Sequence, residues 1–375
     1  MRILVLCKRR YTGLDLIGDR YGRLFELPAQ LAALGHEVTG IALDYRGKHE
    51  ADFPVNDALP HAWASIGLRR SPWSRIRHAI AISKEFRPDV VWASSDVLCL
   101  GLGTHIAKVT NCASVMDIYD NYEAFGLTKL PGMRAWLHST LRHATAVTVA
   151  GNALKEYAKT YTRDGDCIEV ITNGFDSTIF FDGDQACARK SLGLPATSKL
   201  IGTAGALSTS RDIEVLLRAL TLIRSNRPDI LLAVAGPRDS KLYLDRNEGI
   251  IDLGVLAPMH MGDFYNSLDV GVVCNTDSLF GRYCQPMKLV EMLACKTPVV
   301  AAGVGESAAL LEHVQGALYR PGDAKDLAAR IVFTLDNGNQ SPAIRPPTWE
   351  SLAKKLETIL LSAREMHKKS TPSLK

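Results

Sequence analysis

The strand RILVLC at residues 2–7 runs into a loop carrying Gly13 and Gly18. A helical stretch from about Arg20 to Leu34 follows, closed by Gly35 and His36, and then the strand EVTGIAL. Strand, glycine-bearing loop, helix, strand is a βαβ opening: the helix crosses one face of the sheet and brings the second strand in parallel to the first. A second series begins at Lys199 with LIGTAGAL, followed by a helix from about Asp212 to Ser225 and the strand ILLAVAG at 230–236. A chain that opens in this way twice is constrained to two doubly wound α/β domains. Its 375 residues agree, since that length exceeds one ordinary core.

Between these openings the pattern predicts strands at 88–93, 113–116, 146–149 and 168–171, with a helix from Val97 to Val109. The polar stretch from Gly183 to Ser198 holds a short amphipathic helix and reads as a hinge, which places domains at 1–182 and 183–347. The second half continues with a short strand at 250–253, a helix at 259–267, the strand DVGVVC at 269–274 and a helix at 323–335. Trp349 to Met366 is amphipathic with no strand after it, so a helix over 348–368 is expected to cross back to the first domain. Two such domains facing each other leave a cleft at the carboxyl ends of their strands, where ligands of these sheets bind.

A net charge of +4 does not indicate a nucleic-acid binder. Eight scattered cysteines without C-x-x-C spacing favour reduced thiols in the cytosol over a disulfide framework or a zinc site. The N-terminal apolar run is too short for a signal peptide, and no stretch reaches the ~20 apolar residues that span a bilayer.

The richest stretch for chemistry is CQPMKLVEMLACKTPVVAA, residues 284–302. Pro286 suits the first turn of a helix, because its φ fits and its missing N–H is not needed there. Inside this apolar helix Lys288 and Glu291 are three apart and share a face. Free amides at the helix start and a lysine suit an anionic phosphate, and a carboxylate one turn deeper suits a pair of ribose hydroxyls. The other reading is a solvated Lys–Glu pair worth a few tenths of a kcal/mol.

These segments, in this order, resemble glycosyltransferase family 4, retaining enzymes of the GT-B fold. The matching stretches are ALGHEVTG at 33–40, AVTVAGNALKEYAKTY with IEVITNGFDSTIF at 146–180, GALSTSRDIEVLLRAL with PDILLAVAG from 205, and PMKLVEMLACKTPVVA at 286–301. The resemblance implies a nucleotide-diphosphate sugar donor. It places Arg211 on the diphosphate, where the family usually has lysine, and Glu291 on the ribose. It places Gly236 and Gly254-Val255 near the base and ribose, Leu289 beside Lys288 on the donor helix, and Gly18 in a loop closing over the phosphates. Arg211 has a second reading as an exposed residue pairing with Asp212 or Glu214, and Gly18 as a plain turn glycine. The chain also departs from the family pattern: Tyr283 stands where a first glutamate is usual, Ala206 where an arginine is common, and Lys296 where a glycine is common. Arg282 or Lys288 are candidates to replace the missing cation.

On the acceptor side, the stretch SVMDIYDNYEAFG at 114–126 offers Tyr119, Asp120 and Glu123. Asp120 is the candidate for orienting an acceptor hydroxyl; its other reading is a turn or capping residue beside Asn121. The implied reaction is transfer of a hexosyl- or N-acetylhexosaminyl-type sugar to a saccharide or lipid-linked saccharide. In it Arg211 and Lys288 stabilise the departing diphosphate, and no metal or other cofactor takes part. A nucleotide-sugar epimerase of the same fold and a non-catalytic sugar-nucleotide binder are the alternatives. The stretches RRSPWSRIRHAIAISKEFR at 69–87 and GMRAWLHSTLRHA at 132–144 are basic and amphipathic, and suit either an anionic membrane surface or ordinary packing on the sheet.

Overall fold

The computed structural model describes residues 1–11, 13–48, 50–55, 59–124, 126–163, 167–239, 248–339 and 341–370; Phe125 of the acceptor-side stretch lies outside them. The chain divides into two compact units, Met1–Thr172 with Trp349–Lys375, and Asn173–Thr348. The division falls earlier than the domain boundary expected between residues 182 and 183. Asn173 explains this: its amide and Nδ2 donate to Gln285 at 2.5 and 2.9 Å, and Phe175 bridges to Thr348, so this segment belongs with the second unit.

In the first unit eight strands form one sheet, in the order Ile168–Val170, Ala146–Val149, Ala113–Ile118, Val90–Ala93, Arg2–Lys8, Glu37–Asp44, Ala62–Gly67, Glu50–Phe53. Neighbours pair in parallel except the last, which runs antiparallel at the edge. Ile3, Leu4, Val5 and Leu6 are all fully buried, which is why the central strand reads as an unbroken apolar run. From that strand the chain builds outward to one side and later returns to the other at Val90, so the switch point lies between these two strands.

The helices Arg23–Ala33 and Trp349–Ser370 pack together, with Leu24, Leu27 and Leu31 buried on one and Leu352, Leu356 and Leu360 on the other. His36 Nε2 bonds Glu357 at 2.8 Å and Lys355 Nζ donates to the Val170 carbonyl at 2.9 Å, so the last helix does cross back to the first unit. Beneath it lies a buried ion pair. Arg23 donates to Asp117 at 2.8 Å and to the Ile171 carbonyl at 2.9 Å. Ser94 and Thr148 donate to the same carboxylate at 2.7 and 2.8 Å. One network thus ties the start of a helix to three strand ends and to the chain leaving the sheet.

The second unit is a six-stranded parallel sheet in the order Ile250–Asp252, Ile230–Ala235, Lys199–Ala204, Val270–Val273, Val299–Ala302, Leu318–Tyr319. One face is covered by the helices Ile213–Arg224 and Ala324–Asn337, the other by Met261–Asn266 and Met287–Ala294. The switch point lies between Lys199–Ala204 and Val270–Val273. The expected strands form within a few residues of their predicted bounds. The pair Glu50–Phe53 and Ala62–Gly67 was not predicted: EADF and AWASIG have neither clean alternation nor a β-branched run. The short helices Leu279–Tyr283 and Gly305–Leu311 were not predicted either, being too brief for periodicity to register.

Arg23 and Asp117 are 4% and 0% exposed, so removing one partner strands the other's charge. Asp117→Ala is therefore expected to destabilise the protein by about 3–5 kcal/mol in urea unfolding, and a change below about 1 kcal/mol would contradict this account.

Candidate functional site

Two neighbouring strands of the second sheet, Lys199–Ala204 and Ile230–Ala235, are each followed by a glycine. Gly205 (φ +90°) follows Ala204, and Gly236 (φ +131°) follows Ala235. The Gly205 amide donates to the Ala235 carbonyl at 2.9 Å, and the Gly236 amide to the Gly254 carbonyl at 2.7 Å. A Cβ on Gly236 would sit 2.2 Å from the Gly205 carbonyl oxygen, so only glycine lets these turns meet. Lys288 reaches this floor: its Nζ lies 3.8 Å from where a Gly205 Cβ would stand.

Lys288 comes from the helix Met287–Ala294, which Pro286 caps with φ −67°. Leu289, Val290, Met292 and Leu293 turn into the core, and Met292 needs the bare Gly271 of the neighbouring strand, where a Cβ would sit 2.6 Å from its Sδ. Core packing thus presents Lys288 and Glu291, both half-buried, on the other face. Burial pushes the Lys288 ammonium down to about 8; nearby Arg211 lowers it further, while Glu291 holds it up. Burial pushes the Glu291 carboxyl up to about 7, against a hydrogen bond from Tyr265 Oη at 2.9 Å and the pull of Lys288. Arg211 ends the 3-10 turn Thr209–Arg211, and its guanidinium lies over the Phe280 ring, 4.2 Å from the centroid. Among the described residues it makes no ion pair with Asp212 or Glu214, and the ring of Phe280 is its partner.

The remaining donor-side residues fall in different places. Val255 is 74% exposed beside Gly254 (φ +65°). Leu289 is buried, and its amide donates to the Pro286 carbonyl at 3.1 Å, so neither its side chain nor its N–H is presented to a ligand. Arg282 pairs with Asp277 at 2.7 Å, leaving Lys288 as the cation beside the glycine floor. In the first unit, Gly18 is exposed in a turn closed by its own amide donating to Asp15 Oδ1 at 3.1 Å. A Cβ there meets only Asp15, at 3.6 Å. No steric need for glycine operates at that position.

Asp120 is buried at the end of the strand Ala113–Ile118, and one of its oxygens accepts from the Asn121 amide at 2.8 Å. Tyr119 packs edge-on against Tyr122. Glu123 is gripped by His138 at 2.7 Å, Tyr157 Oη at 2.8 Å and Arg134 at 3.0 Å. Burial raises its pKa, but the hydrogen bonds from His138 and Tyr157 and the charge of Arg134 hold it below the usual range. Glu123 is therefore a brace between helices of its own unit, in place of the expected acceptor contact.

Sequence reasoning missed Gly205 and Tyr265. The strand LIGTA ending in glycine was a signal for the first; Tyr265 lies 26 residues from Glu291 and gave none. Among the described residues no group of three or more His, Cys, Asp or Glu is placed to hold a metal ion. No described helix is long and apolar enough to cross a membrane. The basic stretch at 69–87 forms the helix Pro72–Phe86, with Trp73 77% exposed and Arg69, Arg70, Arg77 and Lys84 in water, while Arg75 pairs with Glu50. Trp136 of the other basic helix packs over Gly101.

Residues 23–178 match the family model described as Glycosyltransferase Family 4, and residues 198–337 match Glycosyl transferases group 1. A D-inositol 3-phosphate glycosyltransferase of Thermobispora bispora is 27% identical over 243 residues, 58% of this chain and 56% of that protein. The chain thus spans about half the length of the curated relatives it matches. Sucrose-phosphate synthase from Thermosynechococcus elongatus superposes with a TM-score of 0.70 at 17% identity over 98% of both chains. Anabaena HepE in complex with UDP and glucose gives 0.69 at 18% over the whole of both. At these identities the likeness establishes the fold, GT-B with two Rossmann-like domains.

Folded Glu291 binds its proton more tightly than the unfolded chain does, so its contribution to stability falls as pH rises from about 4.5 to 7. Glu291→Gln removes that dependence. The variant is expected to gain stability over the unsubstituted protein between pH 5 and 8 in denaturant titrations; a pH-independent difference would contradict a raised pKa.

Proposed function

The chain belongs to glycosyltransferase family 4, and from that premise we propose that it moves a hexosyl- or N-acetylhexosaminyl-type sugar, with retention, from a nucleotide-diphosphate sugar to a hydroxyl of a saccharide or lipid-linked saccharide. One observation carries the donor reading: a half-buried ammonium, Lys288, beside the bare backbone of Gly205, with a carboxylate one turn deeper. Such a place suits a diphosphate, because the backbone admits the phosphate oxygens closely and the cation meets them partly out of water. Glu291, oriented by Tyr265, would accept from the ribose hydroxyls. The solved HepE structure with UDP and glucose supports a donor of this class.

In the proposed reaction the bond from the anomeric carbon to the diphosphate oxygen breaks as positive charge builds on the sugar. The acceptor oxygen then bonds to that carbon on the same face, and its proton passes to the departing diphosphate. Lys288 and Arg211 stabilise the charge developing on the leaving group, each preorganised donor contributing about 2.7–4 kcal/mol. Asp120 orients the acceptor hydroxyl, and no metal is required.

Thermal-shift screening of uridine, guanosine and adenosine diphosphate sugars is expected to single out one donor, adding about 2.7 kcal/mol of stability at 100 times its dissociation constant. Glu291→Ala should abolish that shift, and diphosphate release should then depend on an added acceptor. No shift with any of them would remove the donor reading; epimer formation without acceptor, or binding without turnover, would replace the transferase reading.

The exposed Trp73 and the arginines around it support a further part of the proposal, peripheral contact with the anionic inner face of the cytoplasmic membrane. Co-sedimentation with phosphatidylglycerol vesicles should be strong at low salt and weaken at high salt, and Trp73→Ala should reduce it. No binding at low salt would sink this part alone.

A further inference from the structure

The diphosphate reading gives Arg211 a task but leaves open what aims it. Among the described residues Arg211 makes no ion pair, and its guanidinium rests on the half-buried ring of Phe280 at 4.2 Å. Phe280 stands on the short helix Leu279–Tyr283, whose backbone is fixed from several sides. Ser278 Oγ accepts from the Gly281 amide at 3.2 Å, and Arg282 binds Asp277 at 2.7 Å across the turn. A Cβ on Gly281 would sit 2.0 Å from the Thr276 carbonyl oxygen. One on Gly305 (φ +56°) would sit 2.5 Å from the Gly281 carbonyl oxygen and 2.7 Å from that of Arg282. Two glycines therefore let neighbouring backbone close tightly around the helix that carries the ring.

Resting on the diphosphate reading, we propose that Phe280 is a positioning residue for donor binding: it stacks on one face of the Arg211 guanidinium and leaves the edge N–H groups to take two phosphate oxygens. The physical reason is that an arginine's charge is planar. A ring across its face attracts the cation without consuming any donor, whereas a carboxylate partner would occupy the same N–H groups that a phosphate needs. The ring also holds Arg211 in place although Lys288 repels it. This accounts for an arginine where the resemblance leads one to expect lysine, because an ammonium is a point charge with no plane to orient. It also accounts for how a chain with Ala206, lacking one usual cation, retains a second phosphate-binding group of fixed geometry.

The test is a double-mutant cycle read by isothermal titration of the whole protein with uridine, guanosine and adenosine diphosphates. For the tightest of the three, Phe280→Leu should weaken binding about five-fold. On the Arg211→Lys background the same change should weaken it less than about two-fold, since the planar partner is gone. Phe280→Tyr should bind within about two-fold of the unsubstituted protein, because the ring face is kept. Equal losses on both backgrounds, or no loss from Phe280→Leu, would overturn the proposal. If Arg211→Ala weakens binding about ten-fold or more while Phe280→Leu does not, only the role of Phe280 fails. If Arg211→Ala leaves binding unchanged, Arg211 does not meet the diphosphate and this inference fails; if none of the three diphosphates binds, the donor reading fails and this inference with it.

Discussion

Everything proposed for the second unit depends on one lysine ammonium held partly out of water at the carboxyl ends of its sheet. Placing a cation there costs free energy, visible in the fall of the Lys288 pKa to about 8. The fold accepts that cost because the opposite face of the same helix, through Leu289, Val290, Met292 and Leu293, is locked into the core. That packing fixes the face of the helix on which Lys288 stands. Glu291 gives only partial compensation, because burial pushes its carboxyl up to about 7 against the hydrogen bond from Tyr265. In the proposed reading an arriving diphosphate would supply the missing negative charge beside the bare backbone of Gly205.

The first unit is organised by a different constraint. Its buried Arg23–Asp117 pair joins a helix start to the ends of the strands Ala113–Ile118 and Ala146–Val149, directly before Tyr119 and Asp120. That network, with the brace formed by Glu123, His138, Tyr157 and Arg134, gives the acceptor-side stretch its shape. The ionisable residues closest in sequence to Asp120 are thus mostly engaged in holding the chain.

Much of this was legible in the sequence because parallel sheets buried on both faces write themselves as continuous apolar runs, as in Ile3–Leu6 and Ile230–Ala235. The helix at Met287 was legible for a similar reason: a proline start and two charges on an apolar segment leave few alternatives. Ala62–Gly67 was missed because small residues carry no period, and Leu279–Tyr283 because five residues cannot show one. At the site, Lys288 and Glu291 announced themselves as two charges on an apolar helix, whereas Arg211 was singled out only by the family resemblance. Gly205 acts through the side chain it lacks. Tyr265 and Phe280 act through contacts between distant segments that no local pattern encodes. Leu289 and Glu123 show the converse, since a residue adjacent to chemistry in sequence can point into the core or be consumed by neighbours.

The most direct measurement is a crystal structure of the protein with the nucleoside diphosphate that binds it. The account predicts phosphate oxygens within hydrogen-bond distance of Lys288 Nζ and the Gly205 turn, the ribose hydroxyls on Glu291, and Arg211 still stacked on Phe280 while its edge meets the phosphates. A diphosphate lodged elsewhere, with Lys288 facing only water or Glu291, would contradict it.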